Sequence, residues 1–588
     1  MMSIANIKTE ILSAMEAACK TVFGQRPQNL NLNYPPKVEF GDFAVGCFPL
    51  AKQFRQNPAN IAQSIAAEIQ PNESIQNVTA VGPYVNFKLH SSLLFGDVCT
   101  EIRKKKAFDN NNLGNGRRVM VEYLSPNTNK PLHLGHIRNG VLGMGVSNLL
   151  EAAGHTVIKA NLVNDRGVHI CKSMLAWSKW ANGDTPESTD TKGDHFVGEW
   201  YVRYNQEAKK SPQLQEEVQA MLRKWESGDP ATIKLWEMMN QWVYSGYEET
   251  YRRLGFAFDV FYYESNTYTL GKDLVQIGLH KGVFNEAASG AVIAPLPTDE
   301  FGAEKDGSQK VVTLLRNDGT SVYITQDLGT AKLKFDDHQP DRSIYVVATE
   351  QNYHFQCLFK LLNMLDFEWA DGCYHLSYGM VNLPEGKMKS REGTVVDADD
   401  LIEEMRQLAE DEIRRRDTEN TLSHEEIQKR ALAIGLAAIK FYLLRTRPEL
   451  DINFDPKESI SFDGFTGPYC QYAYARCASI LRKSKNRGLA SIEPDYSLLG
   501  NTEELELLRV LIQFPDVVAE AAGEFTLARI CNHVFAIAQA VNQFYHRHPV
   551  LAAEPATLVA ARLALVSASA VVIRNSLALL GIEALEEM

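Results

Sequence analysis

Residues 119–139 read VMVEYLSPNTNKPLHLGHIRN, and their order of residue types decides the fold. Val119, Met120, Val121, Tyr123 and Leu124 form a short apolar run of strand type. Ser125, Pro126, Asn127 and Pro131 interrupt it, because proline fixes φ and these residue types favour turns. Gly135 allows a backbone or a ligand to come close, and from His136 onward the pattern is helical. The stretch predicts a strand, a turn and the start of a helix. His133 and His136 stand at that helix start, where unpaired amides and the helix dipole favour anions. Two imidazoles there suit phosphate oxygens better than a metal, since zinc pairs on a helix usually come as H-x3-H. Alone, H-x-G-H is also compatible with two surface histidines in a loop.

Outward from this stretch the pattern is α/β. A helix is predicted over 137–153, ended by Gly154, with a second strand over 155–162. Asn164-Asp165-Arg166-Gly167 then marks a strand's carboxyl end, where ligands bind in open α/β sheets. Residues 117–177 thus read as the first βαβ of a doubly wound sheet. Far downstream, residues 386–394 read GKMKSREGT, a basic loop ahead of a helix with Asp397, Asp399 and Asp400 in its first turn. A cationic loop facing a histidine-lined helix start suits a triphosphate, although by itself it reads equally as a solvated turn.

The chain has 588 residues and a formal net charge of −13, enough for roughly four domains. The acidic balance argues against coating nucleic acid indiscriminately, so an RNA partner would be met locally. Nine scattered cysteines with no C-x-x-C pair indicate neither a disulfide framework nor a zinc ribbon. The opening MMSIANIKTEI lacks a signal-peptide core, and the apolar tract around 558–573 is broken by Arg562 and falls short of a membrane span. A cytoplasmic protein without a membrane partner is expected.

Residues 1–107 read as a small α+β domain, with helices over 4–21 and 57–69 and a strand within 80–89. Arg103 to Lys106 and the polar run 109–116 close it as a linker. Residues 117–177 and 301–400 read as one Rossmann-like doubly wound unit, with strand-like runs at 311–315, 321–324 and 344–348. Between them, 178–300 is an insertion holding Trp180, Trp200, Trp225, Trp236 and Trp242, which read as packing anchors. Residues 401–455 are a helical linker and 456–588 an all-helical bundle. In the bundle, Tyr469, Tyr472 and Arg476 mark one face, and Phe544, Tyr545, His546 and Arg547 another.

Taken together, His133-Leu134-Gly135-His136 and Lys387-Met388-Lys389-Ser390-Arg391 resemble the two signatures of class I aminoacyl-tRNA synthetases. The flanking SPN-x-x-KP-x-H-x-GH, LVNDRGVHICKS, YITQDLGTA and EQNYHFQ resemble the arginyl-tRNA synthetases in particular, over nearly the whole chain down to GIEALEEM. The resemblance implies ATP-dependent activation of L-arginine, with Mg2+, and transfer to the 3′-terminal adenosine of tRNA(Arg). It implies no structural metal, and we expect a monomer.

Residue by residue, the resemblance assigns His133, His136, Lys130 and Lys387 to catalysis. Gly135, His136, His354, Gln356, Met388, Lys389, Ser390 and Arg391 would bind ATP. Glu122, Asn127, His133, Tyr323, Asp327 and Gln351 would bind arginine, whose planar charged fork carboxylates read well. Asn86 and Phe87 would meet the tRNA elbow by stacking, although from the residues themselves Phe87 reads rather as core, and Tyr469, Tyr472, Arg476 and Tyr545 the anticodon loop. The second signature departs from its fullest form, with Ser390 at the fourth position where lysine is expected and Lys389 at the third. In the family a lysine just ahead of the first signature is taken to substitute, here Lys130, with Lys389 as the alternative. Rival readings are another class I synthetase, a nucleotidylyltransferase that never meets tRNA, and a tRNA-binding module that has lost catalysis. The resemblance also implies that arginine activation waits for tRNA.

Overall fold

The structure is a computed structural model that describes residues 4–104, 112–382, 396–417 and 421–588. The second-signature residues Lys387, Met388, Lys389, Ser390 and Arg391 lie outside the described residues, as do Lys105 and Lys106.

At the centre lie five strands, Arg118–Glu122, Thr156–Val163, Val260–Tyr263, Arg342–Ala348 and Cys373–Tyr378, paired in parallel throughout. In space the first strand is central, flanked by the second and third on one side and the fourth and fifth on the other. The order reverses between the first and fourth strands, which opens a crevice at their carboxyl ends. Along the first strand, Val119 and Val121 face the same core as Ile137 and Val141 of the helix Leu134–Ala152. Met120 faces the opposite side, with Ile158 and Tyr262 and, packed against them, Leu333 of the helix Tyr323–His338. A strand buried on both faces reads as a continuous apolar run, as this one does.

The helix Leu134–Ala152 begins three residues earlier than its periodicity suggests, because His133 caps it. The expected strand at 311–315 exists but pairs antiparallel with Val292–Pro295, which pairs in turn with Asn285–Glu286. This separate small sheet straddles the expected boundary at 300 and shares a core with the helix Asn352–Met364. The run 321–324 is not a strand. Only Ser321 bridges to Leu315, and Tyr323 opens a helix whose Ile324, Leu328, Ala331 and Phe335 recur at helical spacing on a buried face.

The N-terminal part carries a four-stranded antiparallel sheet against the helices Ile4–Phe23 and Pro58–Glu68. The strand expected within 80–89 is two, Ile75–Val81 and Tyr84–Leu89, joined by a turn at Gly82, whose φ of 56° suits glycine. Phe87 is fully buried opposite Phe43, and Asn86 is only 4% exposed. Of the two readings of Phe87 the core one holds and the stacking one is corrected: its ring is buried, and a base needs an open aromatic face.

The C-terminal part is a bundle of Gly467–Asn486, Thr502–Ile512, Phe514–Glu524, Ala528–Arg547 and Ala556–Leu579. The last helix, at 24 residues, is long and apolar enough to cross a membrane, contrary to the expectation from Arg562. Arg562 is accommodated inside the bundle by Glu504 at 2.9 Å and the Pro549 carbonyl at 2.8 Å, and 72% of the helix's apolar window is buried. Helix Ser91–Lys104 of the N-terminal part rests against this same helix. Lys8 and the Tyr34 hydroxyl both bind Asp516, the latter at 2.7 Å.

Candidate active site

The loop leaving the central strand is strained at its second and third residues. Leu124 and Ser125 hold φ of 78° and 44°, a region that non-glycine residues rarely adopt. Asn139, six residues into the helix, holds this conformation. Its side-chain oxygen accepts from the Leu124 amide at 2.5 Å, and its amide group donates to the Val346 carbonyl at 2.8 Å and the Tyr378 hydroxyl at 3.1 Å. One side chain thus joins the ends of three strands at the switch point.

The two histidines are locked into the helix start. The Gly135 amide donates to His133 Nδ1 at 3.2 Å, and the His133 amide donates to His136 Nδ1 at 3.1 Å. The ring centroids lie 3.8 Å apart. A side chain on Gly135 would meet the His133 ring at 3.0 Å, so glycine leaves room for the folded-back imidazole. Burial, reinforced by Lys130, lowers the His133 pKa to about 3, and burial with both neighbours holds His136 well below the ordinary range. Both rings are therefore neutral near pH 7. With each Nδ1 accepting, the proton sits on Nε2, which leaves two neutral donors for ligand oxygens.

Lys130 and His133 line a cavity of about 500 Å³ whose far wall is the insertion helix Gly193–Ala208, with His195, Tyr201 and Arg203. Burial lowers the pKa of Lys130. The Tyr247 hydroxyl fixes its backbone, reaching the Asn127 and Lys130 carbonyls at 2.8 and 2.7 Å. Asp397 closes the cavity and caps the helix Ala398–Arg416. Segment 396–398 is zipped to the first signature, the Leu134 amide donating to the Val396 carbonyl at 3.1 Å and the Ala398 amide to the Leu132 carbonyl at 2.9 Å. The stretch expected to carry the second signature thus rejoins the described chain directly on the first.

Asp194, His195 and Asp399 come close enough to surround a cation. Lys192 binds Asp399 at 2.7 Å and Asp194 at 3.1 Å, and Arg253 binds Asp399 at 3.2 Å. Burial pushes the Asp399 carboxyl up, but hydrogen bonds from His195 and Lys192 and the charges of Lys192 and Arg253 outweigh it and hold it below the usual range. The cluster is an ion-pair network that ties the insertion to the catalytic helix, with its negative charge already answered.

A second cavity, about 820 Å³, opens beside Asn127, Tyr323, Arg166 and Glu264. Tyr323 begins its helix and is 71% exposed, and Asp327 follows one turn later on the same helix. His354 Nε2 donates to Asp327 at 2.7 Å, so the structure brings two expected residues into direct contact across two helices. Gln351 and Gln356 are exposed nearby, at the start of the helix Asn352–Met364. Glu122 stands apart. It is 6% exposed and ion-paired with the buried Lys334, on the face of the sheet away from His133, and it does not line the cavity. The Glu122 carboxylate, expected to contact the amino acid, answers the buried Lys334 cation in the free chain.

Sequence reasoning missed Glu264. It follows the edge strand Val260–Tyr263, at the carboxyl end where such sheets bind ligands. Burial, with the nearby Asp165 and Asp327 charges and against Arg166, raises its pKa to about 7. Asp165 itself is engaged by Ser265 at 2.7 Å and Tyr244 at 3.1 Å. Glu264 on the cavity wall and Asp327, near enough to help raise its pKa, thus offer two carboxyl groups on this side of the sheet, which suits a delocalised cation.

In the bundle the two aromatic faces are one. The Arg476 guanidinium lies 4.9 Å from the Tyr472 ring and 5.2 Å from the Tyr545 ring. Asn542 bonds both Arg476 and the Tyr469 hydroxyl, the latter at 2.8 Å. Phe544 points inward at 1% exposure, whereas Tyr545 is 43% exposed. Tyr472, Arg476 and Tyr545 border a groove of about 950 Å³, whereas Tyr469 does not line it.

The family described as tRNA synthetases class I (R), catalytic domain, matches residues 98–455. The arginyl tRNA synthetase N terminal domain matches residues 5–89, and the DALR anticodon binding domain residues 470–588. Among curated proteins, the arginine–tRNA ligase of Bacteroides thetaiotaomicron is 42% identical, covering 98% of this chain and 99% of that one. That of Treponema denticola is 43% identical, over 96% and 95%. Among solved structures, Thermus thermophilus arginyl-tRNA synthetase superposes with a TM-score of 0.84 at 26% identity, over 99% of this chain and 100% of that one.

Proposed function

We propose, from the premise that this chain belongs to the arginyl-tRNA synthetase family and is an arginine–tRNA ligase of class I, that ATP and arginine meet beyond the carboxyl ends of the central strands, between the signature helix and the helices that carry Asp327 and His354. ATP lies with its triphosphate toward Lys130, His133 and His136, and its base toward Gly135, His354 and Gln356. L-Arginine lies beside it, its α-groups toward Asn127 and Gln351, its fork toward Asp327 and Glu264, with Tyr323 over it. The observation that carries this reading is the pair of neutral imidazoles, each with Nδ1 satisfied by a backbone amide and Nε2–H free to donate.

The arginine carboxylate attacks the α-phosphorus in line and pyrophosphate leaves. The terminal adenosine hydroxyl of tRNA then attacks the arginyl carbonyl and AMP leaves. Neither step needs a covalent enzyme intermediate, so catalysis rests on positioning and on donors aimed at developing charge. Fixed neutral imidazoles serve this well, because they donate without the cost of a buried cation. Mg2+ would ride on the triphosphate, since the one described cluster of cation-type ligands already holds Lys192 and Arg253. Lys130 substitutes for the missing signature lysine, which its place on the wall shared with His133 supports.

The bundle takes the anticodon loop through Tyr469, Tyr472, Arg476 and Tyr545. Nine free cysteines fit a reducing cytoplasm. We read the enzyme as a monomer without a membrane partner, for which sedimentation velocity is the direct check.

The test is ATP–pyrophosphate exchange with arginine, with and without tRNA, and with lysine as control. Exchange with arginine and tRNA together, and with neither lysine nor arginine alone, is expected. Exchange without tRNA would remove the RNA coupling and keep the enzyme. Lys130→Ala is expected to depress exchange strongly; unchanged turnover would take Lys130 out of the mechanism.

A further inference from the structure

Resting on the reading of the bundle groove as an RNA site, we infer that Arg430 and Arg482 form a seat for one RNA phosphate, and that Glu587 fills that seat in the free enzyme. The two arginines come from different helices, His424–Leu444 and Gly467–Asn486. One Glu587 carboxylate oxygen accepts from Arg430 Nη2 at 3.0 Å, and the other from Arg482 Nη2 at 2.8 Å. A single anion thus spans two guanidinium groups through two oxygens, as the non-bridging oxygens of a phosphodiester do. All three residues line the groove that holds Tyr472, Arg476 and Tyr545.

The seat does not depend on its occupant. Arg430 is 8% exposed and independently held by Glu426 at 2.7 Å. The tail reaches the groove because Leu585 packs among Ile413, Ile427 and Ile434, and because Gln471 donates to the Glu583 carbonyl at 2.7 Å. Only the Glu587 side chain, about half exposed, has to turn toward water for a phosphate to enter. Exposed ion pairs hold weakly, whereas arginine forks bind phosphate bidentately and RNA releases its counterions on contact. The exchange replaces one anion with a better one and breaks no covalent bond.

The experiment is the affinity of the full chain for purified tRNA across a salt series. Glu587→Gln is expected to tighten binding at least two- to fivefold, the worth of its exposed pair with Arg482 alone. Arg482→Met is expected to weaken binding and to make the log affinity–log salt slope shallower by about one, with Arg482→Lys between it and the parent protein. Unchanged or weaker binding with Glu587→Gln, or an unchanged slope with Arg482→Met, overturns the inference. Tyr472→Ala separates the two readings. If it weakens binding while Arg482→Met does not, only the phosphate seat is lost; if neither moves affinity, the groove reading goes with it.

Discussion

Glu264 shows how burial sets chemistry at single residues. With a pKa near 7, it gains its charge within the physiological range, and a guanidinium binds the charged form. Arginine affinity is therefore expected to fall as pH drops from 8 toward 6, approaching tenfold per unit below 7, where one added proton must be lost on binding. Glu264→Gln should bind arginine more weakly and flatten that profile; calorimetric titration at several pH values reads both. His133 and His136 were legible because their spacing and the glycine between them are local facts. Glu264 was not, since YYESN carries no motif and its meaning comes from the strand end it follows. Phe87 and Tyr545 look alike in sequence, each an aromatic beside a polar neighbour. Only pairing and packing decide that the first faces Phe43 inward and the second faces water.

At the level of elements, Arg138 binds the signature helix to two other segments. Its guanidinium donates to the Gly379 and Met380 carbonyls at 2.6 and 2.9 Å and to the Pro448 and Leu450 carbonyls at 2.8 and 2.6 Å, at 2% exposure. The strands Val381–Asn382 and Ile452–Asn453 pair in parallel just beyond, the first leading toward the second signature and the second toward the bundle. Arg138→Met leaves four carbonyls, those of Gly379 and Pro448 buried, without this partner and should cost on the order of 3 kcal/mol, read as a lowered urea midpoint. It should also raise the KM for ATP more than that for arginine in the exchange assay, since the segment it holds leads on to the second signature. The long helices were legible to within a few residues because 3.6-residue periodicity persists over many turns. Short strands were legible less evenly: the runs at 119–124, 155–162 and 344–348 entered the central sheet, but 311–315 formed a strand of a different sheet and 321–324 became a helix start, because four or five residues carry too little pattern to outvote their surroundings.

Across the whole molecule, the division into α+β, doubly wound and helical parts was legible from changes in periodicity, whereas the docking of one part on another was not. Helix Ser91–Lys104 lies on helix Ala556–Leu579, and Lys8 and Tyr34 meet Asp516. Removing residues 1–104 should uncover an apolar face of the bundle and promote self-association, seen as a shift from a single species in sedimentation velocity. A truncated chain sedimenting as the intact one does would show that this face needs no cover. The same contact sets a schedule for synthesis. The first domain can fold early on the ribosome, but the helix it rests against is made some 450 residues later, roughly 20–90 s at ordinary elongation rates. For that interval a surface meant for the interior stands open beside an unfinished polypeptide, so nascent-chain protection belongs to how this enzyme is made as much as its cavities belong to how it works.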